Sequence, residues 1–276
     1  MSNHCHNVAE TIEIPAGKRS IVLVGNPNVG KSVFFNALTG RYVDVSNFPG
    51  TTIEIQQAPY GEDILLDTPG VYGVSSFNDE ERVARDIIMH ADVVINIVDA
   101  LHMERDLFLT LQVIDMGIPT IVALNMMDEA EEHGVHIDLA SLQSLLGVPV
   151  IPTVATKKKG ITELISAVDS ATVGNADPQL QVGLDQLVAS GMGRGDALLI
   201  LEGDAEVALC HNAQPRSLRE EIYLRRRHRV NDIAASVIVV DNLGRKWTQR
   251  LGSWTMRPLT GICPISPCFA RNNTSF

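Results

Sequence analysis

The sequence predicts an α/β protein: a mostly parallel sheet with helices on both faces, followed by a small all-α region. Three observations point there. Short apolar runs of strand length alternate with stretches of helical periodicity between Ser20 and Val168. Those runs are mainly apolar rather than alternating, the pattern of strands buried on both faces. Beyond Gln179 only helical patterns remain.

Residues 1–18 read as a flexible tail, in which "HCH" at His4–His6 could grip a metal or be incidental. "SIVLV" then ends at Gly25, as suits a buried strand feeding a loop. "SVFFNALTG" has helical spacing and stops at Gly40, a helix terminator. Further buried strands are expected at Asp63–Asp67, Asp92–Ala100, Thr120–Asn125 and Val148–Thr153. Helices are expected at Glu80–His90, Arg105–Met116, Leu139–Leu146 and Ile161–Val168. "TVGNADPQ" (Thr172–Gln179) is polar and punctuated, which places a boundary there. Helices follow at Leu184–Met192, Gly195–Leu201, Asp204–His211 and Ser217–Val240. The last carries "RRRHR" (Arg225–Arg229), a solvated face or, on a sharper reading, a contact for anionic lipid or an acidic partner domain. The division is 19–171 for the α/β region, 180–245 for the helical region and 246–276 for a terminal tail.

A chain of 276 residues, 45% hydrophobic and 20% charged, supports one good core plus a smaller appendage. Its net charge of −11 argues against a general nucleic-acid binder. The four cysteines form no disulfide framework, which favours a reducing compartment. No signal peptide opens the chain, and no apolar run approaches the roughly 20 residues of a membrane helix.

"GNPNVGKS" fits G-x-x-x-x-G-K-[ST] between a strand and a helix, the context the motif requires. Glycines let the backbone curl so that successive N–H groups face phosphate oxygens, and the helix adds its positive N-terminal end. The loop comprises Gly25, Asn26, Pro27, Asn28, Val29, Gly30, Lys31 and Ser32, with Val33 just after it. Lys31 is expected to pair with the β and γ phosphates, and Ser32 to ligate Mg²⁺. In "DTPG" (Asp67, Thr68, Pro69, Gly70), Asp67 can hold the Mg²⁺ shell and the Gly70 N–H can sense a γ-phosphate. In "NMMD", Asn125 and Met126 lead to Asp128, whose two oxygens match the N1–H and N2–H₂ donors of guanine. Adenine lacks those donors and would leave a buried Asp128 unpaired. "VAT" (Val154, Ala155, Thr156) would support the base through main-chain N–H groups. In this order and spacing, the motifs indicate a GTP/GDP site.

With these motifs the chain resembles a translation-factor-class, P-loop G domain, and more narrowly the amino-terminal region of FeoB, the bacterial ferrous iron transporter family. "GNPNVGKS", "NFPGTTIE" (Asn47–Glu54), "DTPGVYGV" (Asp67–Val74) and "NMMD" carry the resemblance, which is strong over Ser20–Ala167. It implies that the later helices are similar to the family's helical spacer. "RLGSWTMRPLTGI" (Arg250–Ile262) resembles the lead-in to the first membrane helix, but "CPISPCFARNNTSF" cannot continue as a spanning helix. The resemblance implies that Thr52 is the switch I threonine on Mg²⁺, within the nucleotide-contacting Gly50, Thr51 and Thr52. It also implies a partner membrane region or other inner-membrane iron-uptake components, at the cytoplasmic face of that membrane. Ala155 is carried over although the segment lacks the usual Ser-Ala opening.

Many GTPases orient the attacking water with a glutamine just after the DxxG glycine; here that residue is Val71. Positive charge must still meet the transition state. Asn28 is therefore expected to help bind K⁺, with carbonyls near Asn47–Thr51 closing the cage, as the resemblance also implies. The bland alternative is that Asn28 stiffens the loop through switch I backbone. The catalytic set expected is Asn28, Lys31, Thr52 and Gly70. Asn26 is expected to bond locally, Asp99 to cap a strand end, and His133, His136 and Glu129–Glu132 to be solvated. The leading expectation is a slow, K⁺-stimulated GTPase controlling ferrous iron uptake. The alternatives are a soluble GTPase of ribosome assembly or tRNA modification, and a nucleotide-sensing module with negligible turnover.

Overall fold

The computed structural model describes residues 14–15, 17–40, 44–48, 51, 53–74 and 78–240. The chain first runs β1 (Ser20–Gly25), α1 (Lys31–Thr39), β2 (Asp44–Asn47), β3 (Glu54–Tyr60), β4 (Asp63–Asp67), α2 (Asp79–Met89) and β5 (Val93–Asp99). It continues through α3 (Met103–Asp115), β6 (Thr120–Asn125), α4 (Met127–Glu132), β7 (Val135–Ile137), α5 (Leu139–Leu146), β8 (Val150–Pro152) and α6 (Ile161–Ala167). It closes with α7 (Pro178–Val188), α8 (Arg194–Leu201), α9 (Ala205–Cys210), α10 (Arg219–Val237) and β9 (Ile238–Val240). The HCH segment and the tail from 246 lie outside the described residues.

Seven strands form one sheet in the order β2-β3-β4-β1-β5-β6-β8. Pairing is parallel from β4 to β8 and antiparallel for β2–β3 and β3–β4. Every residue of β1, β5 and β6 is buried, which is why each reads as a mainly apolar run, with Asn96 the polar exception inside β5. The expected fold class is borne out. The sequence reading missed β2, β3, β7 and β9. β3 has two glutamines and Pro59, and only Ile55 and Ala58 are buried, so a half-covered strand near the sheet edge leaves no long apolar signal.

The helical segment starts earlier than expected. Asp177 caps α7 by accepting from the Gln179 N–H, and Pro178 fills the first turn, so the residues read as a linker hold a helix start. The described residues up to Val239 form one compact unit. Leu180, Leu184, Leu198, Val207 and Ile222 pack in the same apolar cluster as Val22, Leu66, Ile87 and Leu109 of the sheet and its helices. Val230, Ile233 and Val237 of α10 join a second cluster with Leu107, Leu124 and Leu142.

"RRRHR" is not a wholly solvated face in this fold: His228 is exposed, but Arg225, Arg226 and Arg227 have partners within the chain. Arg226, 4% exposed, pairs with Asp115 at 3.0 Å and Glu202 at 3.2 Å. Arg225 pairs with Asp177 at 2.6 Å, and the Arg227 guanidinium lies over the Phe108 ring. Arg225 and Arg226 thus bind acids of their own chain, and with the Arg227–Phe108 contact they add to the apolar packing of α10 on α3. Removing one partner of such a buried cluster costs about 3–5 kcal/mol, because the remaining charge is stranded. Among the described residues, no helix is long and apolar enough to cross a membrane.

Candidate functional site

β1 sits where the strand order turns: the chain leaves it toward β4 on one side and β5 on the other. The carboxyl end of such a strand opens a crevice suited to ligands. Gly25–Lys31 turns there. Gly30 has φ 96°, and a Cβ on it would approach the Asn125 amide nitrogen to 2.9 Å, so only glycine fits. Asn28 takes the left-handed conformation at φ 67°, uncommon for a residue with a side chain.

Lys31 opens α1 but is buried in the loop. Its Nζ donates to the Gly25 carbonyl at 3.1 Å and the Asn26 carbonyl at 3.2 Å. Burial pulls its pKa down, opposed by the nearby charges of Asp67 and Asp106. Ser32 and Asn28 are exposed, and Pro27 is half-buried. Val33 is 39% exposed on the face of α1.

The DTPG segment leaves β4 beside the loop. Thr68 donates its hydroxyl to the Leu23 carbonyl at 2.8 Å, and the Val71 N–H donates to the Gly25 carbonyl at 3.3 Å. A Cβ on Gly70 would lie 2.9 Å from Pro27 Cα and 3.0 Å from Lys31 Nζ, so this glycine permits the two segments to touch. The Val71 side chain is 2% exposed, which removes it from any role with water.

One Asp67 carboxylate oxygen, Oδ1, is buried without a hydrogen-bond partner among the described residues. Burial pushes its pKa from 3.8 to about 6, although Lys31 pulls the other way. Because the folded value exceeds the unfolded one, the carboxyl costs stability as pH rises from about 4 to about 6, and the cost then stays constant. Asp67→Asn should therefore stabilise the nucleotide- and metal-free protein at pH 7.5, by up to about 3 kcal/mol. The gain should fade as pH drops through 6 toward 4. Urea unfolding across that range checks it, and a pH-independent difference would contradict the cause given.

Asn125 joins the phosphate loop to the base-recognition segments. Its Nδ2 donates to the Val29 carbonyl at 3.0 Å, while its Oδ1 accepts from the Ala155 N–H at 3.1 Å. Met126 then turns in the left-handed region at φ 62° and caps α4. Val154 and Ala155 are buried and Thr156 is exposed. Asp128 departs from expectation: it is part-exposed, and its Oδ2 pairs with Lys157 Nζ at 2.7 Å. The Lys157 ammonium holds the Asp128 carboxyl below its ordinary range. A cavity of about 370 Å³ borders Met127, Asp128, Thr153 and Val154 on the side of β7.

Thr51 turns its hydroxyl onto the Phe48 carbonyl at 3.0 Å, within its own loop. Gly50 and Thr52 lie outside the described residues. Asp99 caps the following turn through the Leu101 N–H, and His133 and His136 are exposed, as expected. Asn26 does not bond locally in sequence. Its Nδ2 reaches Asp106 Oδ1 on α3 at 2.6 Å, a contact that no sequence spacing announces. Lys157 was likewise missed; its only signal was a lysine run after the base-supporting segment.

Comparison with known proteins gives a consistent answer. The family model FeoB_N, described as ferrous iron transport protein B, matches residues 19–168. The Fe(2+) transporter FeoB of Salmonella typhimurium (strain LT2) is 42% identical over 162 residues, which is 55% of this chain and 21% of that protein. The Escherichia coli (strain K12) Fe(2+) transporter FeoB is 41% identical over the same shares. The chain thus matches about a fifth of the length of these relatives. The cytosolic domain of the T. maritima FeoB iron transporter in a GDP form superposes with a TM-score of 0.71 at 28% identity, covering 82% of this chain and 100% of that one. The cytosolic domain of L. pneumophila FeoB gives 0.68 at 32%, covering 80% and 99%. With the family profile spanning more than half of its residues and the same phosphate-loop fold beneath it, the chain belongs to the ferrous iron transport protein B family, and its α/β part is that family's amino-terminal G domain.

Proposed function

We propose that this chain binds GTP and GDP, hydrolyses GTP slowly, and uses the change to regulate ferrous iron uptake by a FeoB-type membrane region at the bacterial inner membrane. One observation carries the nucleotide reading. Three motifs spread over 104 positions, from Gly25 to Asp128, meet at the carboxyl ends of β1, β4 and β6. There Lys31 and Gly70 approach each other, and Asn125 bridges the phosphate loop to Ala155. GDP-bound relatives of the same fold add support.

The roles follow from chemistry. The loop N–H groups and Lys31 take the phosphates, and Asp128, released from Lys157, takes the guanine edge, with Ala155 behind it. Asn26, Pro27, Val29, Val33, Thr68, Pro69, Met126, Val154 and Thr156 shape the contacting surface. The orphaned Asp67 oxygen fits a metal shell, so Asp67, Ser32 and Thr52 would hold Mg²⁺, which when bound neutralises phosphate charge. Gly50, Thr51 and Thr52 would form switch I, and Gly70 would report the γ-phosphate through its N–H. We assign 19–171 as G domain, 180–245 as helical spacer, and 246–276 as the segment toward the membrane region.

Because Val71 carries no polar group, the Asn28 oxygen is assigned to a K⁺ that meets the transition-state charge. Single-turnover hydrolysis in KCl and in NaCl at matched ionic strength tests this. Faster turnover in KCl is expected, with Asn28→Ala removing the stimulation and leaving GDP affinity nearly intact. Equal rates in both salts would remove K⁺ from the account. The buried Val71 also favours a second reading, a nucleotide sensor with negligible turnover, which the same assay separates.

A further inference from the structure

We propose that Asp106, on α3, is a positioning residue for GTP hydrolysis, which sets through Asn26 the loop presenting Asn28 and Lys31. Asp106 is 1% exposed and far from the loop in sequence. Its carboxylate accepts from Asn26 Nδ2 at 2.6 Å, from the Asp99 N–H at 2.9 Å and from Arg105 Nε at 2.7 Å. The phosphate loop, the end of β5 and the first turn of α3 are thereby tied to one group. A carboxylate can only accept, so the Asn26 amide must turn its NH₂ toward Asp106. The Asn26 Oδ1 is buried with no hydrogen-bond partner among the described residues. The orientation of Asn26 therefore hangs on Asp106.

That orientation matters for what Asn26 carries. Its own carbonyl and that of Gly25 receive the Lys31 ammonium, and Asn28, two residues on, sits in the left-handed conformation that its surroundings must hold. Burial pushes the Asp106 carboxyl up, opposed by its hydrogen bonds from Arg105 and the Asp99 N–H. The tie also reaches the segment after Gly70: the Arg105 guanidinium, braced on Asp106, lies 5.9 Å over the Tyr72 ring.

The inference rests on the reading of this loop as a hydrolytic GTP site, and a double-mutant cycle tests it separately. The full chain and the variants Asp106→Ala, Asp106→Asn, Asn26→Ala and Asn26→Ala/Asp106→Ala are compared. Their readouts are single-turnover hydrolysis, the K⁺ concentration for half-stimulation, and affinity for a fluorescent GDP. Asp106→Ala should slow hydrolysis on the order of tenfold and raise the K⁺ requirement similarly, with GDP affinity within about threefold. Asp106→Asn keeps one acceptor oxygen and should lose less. The double variant should be no slower than the slower single one, because both remove the same tie. Additive losses overturn the proposal, as does unchanged hydrolysis in Asp106→Asn and Asn26→Ala should Asp106→Ala fail to fold. Absence of hydrolysis in the unmodified chain would sink the function reading; additive losses in a hydrolysing protein would sink only this one. If rates in KCl and NaCl are equal, the cycle is read on hydrolysis alone.

Discussion

Replacing Lys31 with alanine should lower the rate of GTP hydrolysis by about 10²–10³-fold, the usual effect of removing one preorganised charge from a developing oxyanion. The structure gives a reason to expect the upper part of that range. Lys31 is 9% exposed and its ammonium is anchored on the Gly25 and Asn26 carbonyls, inside the loop proposed to take the phosphates. Little reorganisation is then needed at the moment of reaction. Arginine should not restore activity, because a planar guanidinium cannot place a point charge inside the same turn of backbone. Single-turnover hydrolysis of Lys31→Ala and Lys31→Arg is the measurement. Near-normal rates in Lys31→Ala would mean that phosphates do not bind at this loop.

Asp128→Ala should weaken GDP binding by about 10²–10⁴-fold and abolish the preference for guanine over adenine, since two charge-assisted hydrogen bonds are lost. The Lys157 pair adds a second, opposite expectation. That 2.7 Å ion pair must open before a base edge can bond the carboxylate. Lys157→Met should therefore tighten GDP only modestly, because an exposed ion pair is worth little, while Asp128→Ala weakens it greatly. Calorimetric titration of both variants with GDP and ADP separates the effects. An unchanged guanine preference in Asp128→Ala would place base recognition elsewhere.

Much of this was legible before any coordinates, for identifiable reasons. A phosphate site needs glycines, a lysine and a hydroxyl at fixed spacing within one turn, so Gly25–Ser32 announces itself. Doubly buried strands need mainly apolar runs, so β1, β5 and β6 do too. What stayed hidden falls into two kinds. Weak local signals hid β3, which is buried on only part of one face, and the start of α7, whose Asp-Pro signal sits inside a polar stretch. Distant pairings hid the rest: Arg226 finds Asp115 and Glu202, and Asn26 finds Asp106, across 111, 24 and 80 positions.

The sequence by itself supplied the proposed chemistry: a loop pattern suited to phosphate, a carboxylate proposed for a guanine edge, and an apolar valine where a water-orienting glutamine often stands. Only the tertiary structure decided how that chemistry is braced. It placed Asp106 against the loop, Lys157 against Asp128, and the arginines of α10 against the acids of α3 and its neighbours. Local motifs encode which atoms meet a ligand, because those atoms must lie close along the chain. The groups that orient them need only be close in space, and folding brings those together from residues whose separation in sequence carries no information about contact.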